Sequence, residues 1–299
     1  MNIAVLMSSY NGKQYIKQQI QSILDQKCDL EVDIYVRDDG STDGTREILQ
    51  QYAQEGVLHW YTGENLKPAK SFMDLLSHCP QHDFYAFCDQ DDYWKPEKLQ
   101  AGTDLIRDIT VPAFSFANAR LVDRDLKDLG RSVYRTTPHT DLPTISCAGG
   151  ILGCTMVLNH ALAELFRTKP VPEKLIMHDF YVALVCALAG GEIRYDPTPR
   201  MLYRQHGNNV IGVSRNKLTA LKNRMKTISK KAPVSIGAQA RSVLELYPTL
   251  GSKQEQKWLK LLSDRRFFSR LSVACSRKPR FISKNQSLTL RLAILLGNR

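Results

Sequence analysis

An α/β fold, with a mostly parallel but mixed sheet flanked by helices and then a basic α-helical extension, is what this sequence predicts. Three observations carry that expectation. The first hundred of the 299 residues alternate short β-like runs with segments of helical period. Three of those runs end in polar loops rich in Ser, Asn, Gly and Asp. Charge is divided along the chain: from Arg215 onward there are 20 Lys and Arg against three acids, while the residues before it carry 21 against 27. The expected organisation is an acidic α/β body over 1–213 and a basic helical extension over 214–299.

The elements follow in order. Ile3 to Met7 is a continuous apolar run suited to a buried parallel strand. After Ser8-Ser9-Tyr10-Asn11-Gly12, the apolar positions Ile16, Ile20, Ile23 and Leu24 fall on one helical face. Val32 to Arg37 reads as the second strand. Ser41, Thr42 and Asp43 are N-cap candidates for a helix bearing Ile48, Leu49 and Tyr52. Val57 to Tyr61 is the third strand, the segment after Pro68 a helix bearing Phe72, Leu75 and Leu76, and Phe84 to Cys88 the fourth strand. That strand runs into Asp89-Gln90-Asp91-Asp92, and Pro96 is placed as a first-turn proline of the next helix. Further on, Phe114 to Val122 and Ile151 to Leu158 read as strands, 147–150 as a turn, and His178-Asp179 as the start of an apolar helix. The tail reads as two or three basic amphipathic helices broken near Pro233, Pro248 and Pro279.

No stretch reaches the roughly 18 to 20 apolar residues that span a bilayer, and no charged leader precedes Ile3, so neither an integral nor a signal-bearing protein is expected. Seven cysteines without a C-x-x-C pair favour reduced, packed thiols in a cytosolic setting and give a zinc site little support. A basic tail fits an anionic membrane surface or nucleic acid, and charge alone does not choose between them.

Ligand sites in open α/β sheets gather at the carboxyl ends of strands, so the loops at 8–12, 38–43 and 89–92 should converge on one crevice. Three carboxylates in four positions, Asp89, Asp91 and Asp92, repel one another unless a cation sits among them. Mg²⁺ or Mn²⁺ is the natural partner, since such ions take one or two protein carboxylates and complete their shell with water and phosphate. An acidic turn capping the next helix is the plainer alternative. Asp38-Asp39 is a second acidic turn able to accept from a base or ribose, although capping explains Ser41 to Asp43 equally well. Asp179, near a helix start beside His178, suits either a cap or a general base. Arg204 suits a pyrophosphate, and His206 could complete a metal shell or be a structural histidine.

Taken in this order the loops resemble glycosyltransferase family 2 with its GT-A fold, over about residues 1–213. Ser8-Ser9-Tyr10-Asn11-Gly12 is similar to the family's opening nucleotide loop, and Asp38-Asp39-Gly40-Ser41-Thr42-Asp43 to its D-D-G-S-x-D turn. Asp89-Gln90-Asp91 resembles the D-x-D metal motif, and Cys88 to Trp94 resembles the rhamnosyltransferase-like branch, as does the 204–209 segment. The resemblance implies single-displacement, inverting transfer of a sugar. Ser8, Ser9, Tyr10, Asp38, Asp39 and Arg204 would hold the nucleotide, with Asp39 on the base. Asp89, Asp91 and His206 would hold Mn²⁺ or Mg²⁺, Asp179 would be the base, and Asp92, Trp94 and His178 would contact acceptor or support the site. His178 stands where the family's pattern usually has another acid. The branch points to dTDP-L-rhamnose as donor, with UDP-linked hexoses or N-acetylhexosamines as the alternative.

The expected partners are therefore a dTDP- or UDP-sugar and a glycan or lipid-linked glycan. Lys217 to Lys231, with Leu218, Leu221, Met225 and Ile228 at helical spacing, would lie on an anionic leaflet, as would Leu288 to Leu296. A helical extension packed on the body is the alternative. The chain is thus expected on the cytoplasmic side, peripheral at the inner face of the membrane. No helix-turn-helix, zinc finger or aromatic RNA-binding motif is present, so nucleic acid is not an expected partner. A sugar-activating nucleotidyltransferase is disfavoured because the Ser8 to Gly12 loop has one glycine and no arginine.

Overall fold

A computed structural model describes residues 1–205, 225, 227–281 and 283–298. The chain runs β1 (Asn2–Ser9), α1 (Ile16–Leu24), β2 (Glu31–Asp38), α2 (Thr45–Gln54), β3 (His59–Thr62), α3 (Lys67–His78) and β4 (Phe84–Asp89). It continues with β5 (Tyr93–Trp94), α4 (Lys98–Asp104), β6 (Ala113–Val122), β7 (Asp128–Ser132), α5 (Leu142–Ala148) and a 3₁₀ turn (Gly153–Thr155). Then come β8 (Val157–Asn159), α6 (His160–Arg167), α7 (His178–Leu188) and β9 (Glu192–Arg204). Four helices close the chain: α8 (Ile236–Leu246), α9 (Lys253–Ser263), α10 (Phe267–Cys275) and α11 (Lys284–Leu295).

These elements form two compact units. The first holds Met1–Thr137, Leu152–Val171 and β9; the second holds Pro138–Ile151, Pro172–Gly190 and the helices from α8 onward. The grouping is not a single cut in sequence. The expected boundary at 213/214 lies outside the described residues, and two segments assigned to the α/β body, 138–151 and 172–190, cluster with the C-terminal helices.

In the first unit one sheet has the order β3-β2-β1-β4-β8-β6-β9-β5, with β7 on β6. β1 is parallel to β2 and β4, and β2 to β3, whereas β8 is antiparallel to both neighbours. Ile3 to Met7 is fully buried, as a central strand covered on both faces requires. Ile16, Ile20 and Ile23 pack inward from α1, but Leu24 is 46% exposed: it closes the last turn beyond the buried stripe. Phe72, Leu75 and Leu76 are buried on α3.

Several local expectations are corrected. α2 starts after Gly44, whose φ of 96° turns the chain, and not on a Ser41, Thr42 or Asp43 cap. Pro96 lies outside α4, whose N-cap is Glu97, because Tyr93–Trp94 first pairs with β9. The run Ile151–Leu158 is a 3₁₀ turn and then a strand from Val157 only. β9, not foreseen, pairs in parallel with β6 and bulges where Ala117 faces Asp196 but Asn118 faces Pro199. Pro197 and Pro199 lack the N–H a regular ladder needs there.

In the second unit α7 is buried over nearly its whole surface, as its apolar run predicts. Tyr181 and Tyr247 meet hydroxyl to hydroxyl at 3.2 Å, and Trp258 Nε1 donates to Ser146 Oγ at 2.9 Å. Ser235, Ser252 and Ser283 cap α8, α9 and α11, with Glu255 completing a capping box. Pro233, Pro248 and Pro279 do lie at helix ends, and a further break at 264–266 leaves four helices from Ile236 onward among the described residues. Most of the 217–231 stretch lies outside the described residues.

Candidate active site

The parallel strands β1, β2 and β4 end side by side, with Ser9 opposite Asp38 and Ser8 opposite Asp89. Their loops converge and are stitched together. The Asn11 N–H donates to Ser41 Oγ at 2.8 Å, while Asn11 Oδ1 accepts from the Thr42 N–H at 2.9 Å. Gly12 and Lys13 donate their N–H groups to Thr45 Oγ1 and Asp43 Oδ2 at 2.9 and 3.0 Å. Gln90 binds the backbone of Tyr10 at both ends, accepting its N–H at 2.9 Å and donating to its carbonyl at 3.0 Å. A Cβ at Gly12 would lie 2.1 Å from Gln90 Oε1, so a larger residue there would displace the Gln90 side chain from this position.

Asp38 organises the second loop. Its buried carboxylate accepts from Ser9 Oγ at 2.9 Å, from the Ser41 N–H at 2.7 Å and Oγ at 2.5 Å, and from the Gly40 N–H at 3.1 Å. Asp39 is buried in an ion pair with Arg37. Arg37 is itself fixed by Asp74 at 2.9 Å and by the Glu64 carbonyl at 3.1 Å.

The acidic loop is supported from beneath. Arg204 is 2% exposed, and its guanidinium donates to the Asp91 carbonyl at 2.7 Å, to Gln18 Oε1 at 2.6 Å and to the Arg124 carbonyl. Its backbone N–H donates to Asp92 Oδ1 at 3.0 Å. Asp92 is fully buried; burial first, then the charges of Asp91 and Asp89, push its carboxyl well above the usual carboxylate range. Burial pushes the Cys154 and Cys88 thiols up as well. The Lys98 ammonium is enclosed 3.6 Å from the centre of the Trp94 ring, and burial lowers its pKa to about 8.

The structure thus brings Ser8, Ser9, Tyr10, Asp38, Asp39, Asp89, Asp91, Asp92, Trp94 and Arg204 into one unit around the strand ends. Within this set Tyr10 is 49% exposed, Asp89 and Asp91 are half-buried, and Trp94 has its side chain in the core and its backbone N–H donating to Ser22 Oγ at 3.1 Å. Arg204 is committed to main-chain carbonyls and Gln18, so it acts as a clamp on the acidic loop rather than as an open pyrophosphate ligand. His178 and Asp179 belong to the second unit, in the first turn of α7, where Asp179 Oδ1 accepts from the Phe180 N–H at 2.6 Å. Burial lowers the His178 pKa to about 3, which keeps its imidazole neutral. His206 lies outside the described residues.

A hard divalent cation fits part of this donor set. Among the described residues, potential ligand atoms of Asp89, Asp92 and Cys154 come within 4.8 Å of one another. Cys154 does not suit Mg²⁺ or Mn²⁺: a buried thiol held protonated is a poor partner for an oxygen-seeking ion. Asp89 ends β4 and Asp91 follows it, both half-buried carboxylates of the kind such an ion takes. Sequence reasoning missed Gln90 as a clamp and Lys98 and Cys154 beneath the loop. Gln90 was visible as the middle of the D-x-D string, whereas Cys154 is distant in sequence and carried no signal.

Hydrogen-bonded loops at the ends of parallel strands, two of them acidic turns, are the frame of a nucleotide-sugar transferase with a GT-A fold. The chain belongs to the family Glycosyl transferase family 2, whose model matches residues 4–166. It is 27% identical to the dTDP-rhamnosyl transferase RfbG of Shigella flexneri over 70% of this chain and 74% of that one, which supports the rhamnosyltransferase-like branch. It is 32% identical to the putative teichuronic acid biosynthesis glycosyltransferase TuaG of Bacillus subtilis over 52% of this chain and 61% of that one. Among solved structures, S. aureus TarS 1-349 in complex with UDP aligns over 100% of this chain and 89% of its own, with a TM-score of 0.56 at 18% identity. That likeness shows the fold.

Proposed function

We propose that this glycosyltransferase is a metal-dependent, inverting enzyme that moves L-rhamnose from dTDP-L-rhamnose to a hydroxyl of a growing, lipid-linked cell-surface polysaccharide. The observation that carries the reading is the set of strand-end loops stitched together by hydrogen bonds, with half-buried Asp89 and Asp91 in one and saturated Asp38 in another. Ser8, Ser9, Tyr10 and Asp39 would hold the nucleotide, and the exposed Tyr10 ring offers a stacking face. Asp89 and Asp91, with His206, would hold Mn²⁺ or Mg²⁺, which when bound neutralises the departing diphosphate. Arg204 and Gln90 fix the loop so that these carboxylates need not reorganise during the reaction.

Asp179 is the proposed general base, taking the proton of the acceptor hydroxyl as it attacks the anomeric carbon opposite the leaving group. His178, Asp92 and Trp94 would shape the acceptor side or support it. The working site is the cytoplasmic face of the membrane, with the basic tail on the anionic leaflet; no helix of the described residues is long and apolar enough to cross it.

A panel of dTDP, UDP and GDP, each with and without Mn²⁺, tests the reading through thermal stabilisation. A metal-dependent shift with dTDP supports the rhamnosyl donor. A shift confined to UDP moves the assignment to UDP-hexose or UDP-N-acetylhexosamine donors, and no shift with any nucleotide overturns the crevice. Asp179→Asn should leave those shifts unchanged while transfer disappears; an equal loss of donor binding would make Asp179 structural.

A further inference from the structure

We infer that a cavity among the C-terminal helices binds the phosphate headgroup of an anionic membrane lipid, with Phe267 and Phe268 entering the interface beside it. This deepens the proposed action at a lipid-linked acceptor, but it rests on residues wholly outside the donor loops. The cavity lies within the second unit and measures about 450 Å³, inside the span of roughly 300 to 1,000 Å³ common to small-ligand sites.

Its wall carries four cations, Lys174, Lys231, Arg265 and Arg270, and one acid, Asp264. The Asp264 carboxylate is already taken, by Arg266 at 2.7 Å and by Ser269 Oγ at 2.7 Å. Among the described residues no ion pair engages any of the four cations. Arg270 Nε is buried without a hydrogen-bond partner. Cations without an ion pair around one cavity favour an anionic ligand, and phosphate oxygens are the acceptors a guanidinium takes most readily.

A soluble phosphate would account for the cations but not for what surrounds them. Phe267 and Phe268 sit between Arg265 and Arg270 in sequence, 52% and 77% exposed, with their rings edge to face at 5.8 Å. Leu296, which lines the cavity, is 56% exposed. Apolar side chains presented to solvent among arginines are the composition of a segment that lies in a bilayer interface. The excess of 20 basic over three acidic residues from Arg215 onward supplies the complementary charge for an anionic leaflet.

Sedimentation of the full chain with vesicles tests the site, comparing pure phosphatidylcholine with phosphatidylcholine mixed with phosphatidylglycerol. The wild type should bind only the mixed vesicles. Arg265→Gln and Arg270→Gln should each weaken binding about fivefold, and Phe268→Ser about tenfold. Binding unchanged in all three variants, or equal binding to neutral vesicles, overturns the site. Inorganic phosphate separates the sources: if it stabilises the wild type but not Arg270→Gln while vesicles fail to bind, the ligand is a soluble phosphate and the lipid assignment is wrong. Should Arg270→Gln fail to fold, Phe268→Ser, altered at an exposed position, carries the decision. Nucleotide-induced stabilisation measured on the same preparations keeps the two readings apart: its absence with vesicle binding intact refutes the transferase reading alone.

Discussion

The two acidic turns at the strand ends look alike in sequence and differ in chemistry. In Asp38-Asp39 the first carboxylate is fully used, since Asp38 accepts from two serine hydroxyls and two backbone N–H groups, and Asp39 is buried beside it in an ion pair with Arg37. In Asp89 to Asp92 the outer carboxylates stay half-buried and only Asp92 is drawn inside, onto the Arg204 N–H. A saturated carboxylate builds a wall. One half-buried at a strand end stays within reach of a ligand.

Three substitutions would break or sharpen this contrast. Asp91→Ala should have the largest effect: turnover falling about a thousandfold, the equivalent of roughly 4 kcal/mol, and nucleotide binding losing its metal dependence. Its urea midpoint should hardly move. Normal activity in that variant would remove Asp91 from the site. Asp38→Ala should do the reverse first, lowering unfolding free energy by about 3 to 5 kcal/mol because buried donors on Ser9 and Ser41 lose their acceptor. If urea unfolding instead matched the wild type, the saturated turn would not be a structural wall.

Lys98→Met addresses the support beneath the second turn. The folded pKa of Lys98 is lowered to about 8 from an ordinary 10.5. Below about pH 8 both folded and unfolded chains hold the proton, and the cost of burying the charge is complete. As pH rises past 8 the folded chain releases the proton while the unfolded chain keeps it, so wild-type stability should rise relative to Lys98→Met's until about 10.5. The relative gain should be about 3 kcal/mol over that window. Denaturant titrations at pH 7 and pH 10 measure it, and parallel curves for the two proteins would show that Lys98 is not buried as a charge.

The contrast also marks how far the sequence could be read. The buried run Ile3 to Met7, the α3 face of Phe72, Leu75 and Leu76, and the apolar run Phe180 to Leu188 of α7 were legible because apolar patterning reports burial directly. So was the convergence of three loops, since parallel strands joined by helices must place their carboxyl ends together. β9 was not legible, because two prolines interrupt its alternation and its partner β6 lies far away in sequence. Pro96 was misplaced for a related reason: the short pairing of Tyr93–Trp94 with β9 delays the start of α4.

What the sequence by itself determined was the inventory: an α/β body of strands ending in acidic turns, a basic helical tail, and the motif order of a family 2 glycosyltransferase. The tertiary structure alone decided which charges are spent. Arg204 could be named from the chain, but only folding shows its guanidinium bound to the Asp91 carbonyl and Gln18, and only folding encloses Lys98 over Trp94. Local sequence fixes periodicity and turn chemistry. Whether a carboxylate or a guanidinium is satisfied depends on partners up to 186 positions away, as Gln18 and Arg204 are, and only the packed chain brings them within hydrogen-bond reach.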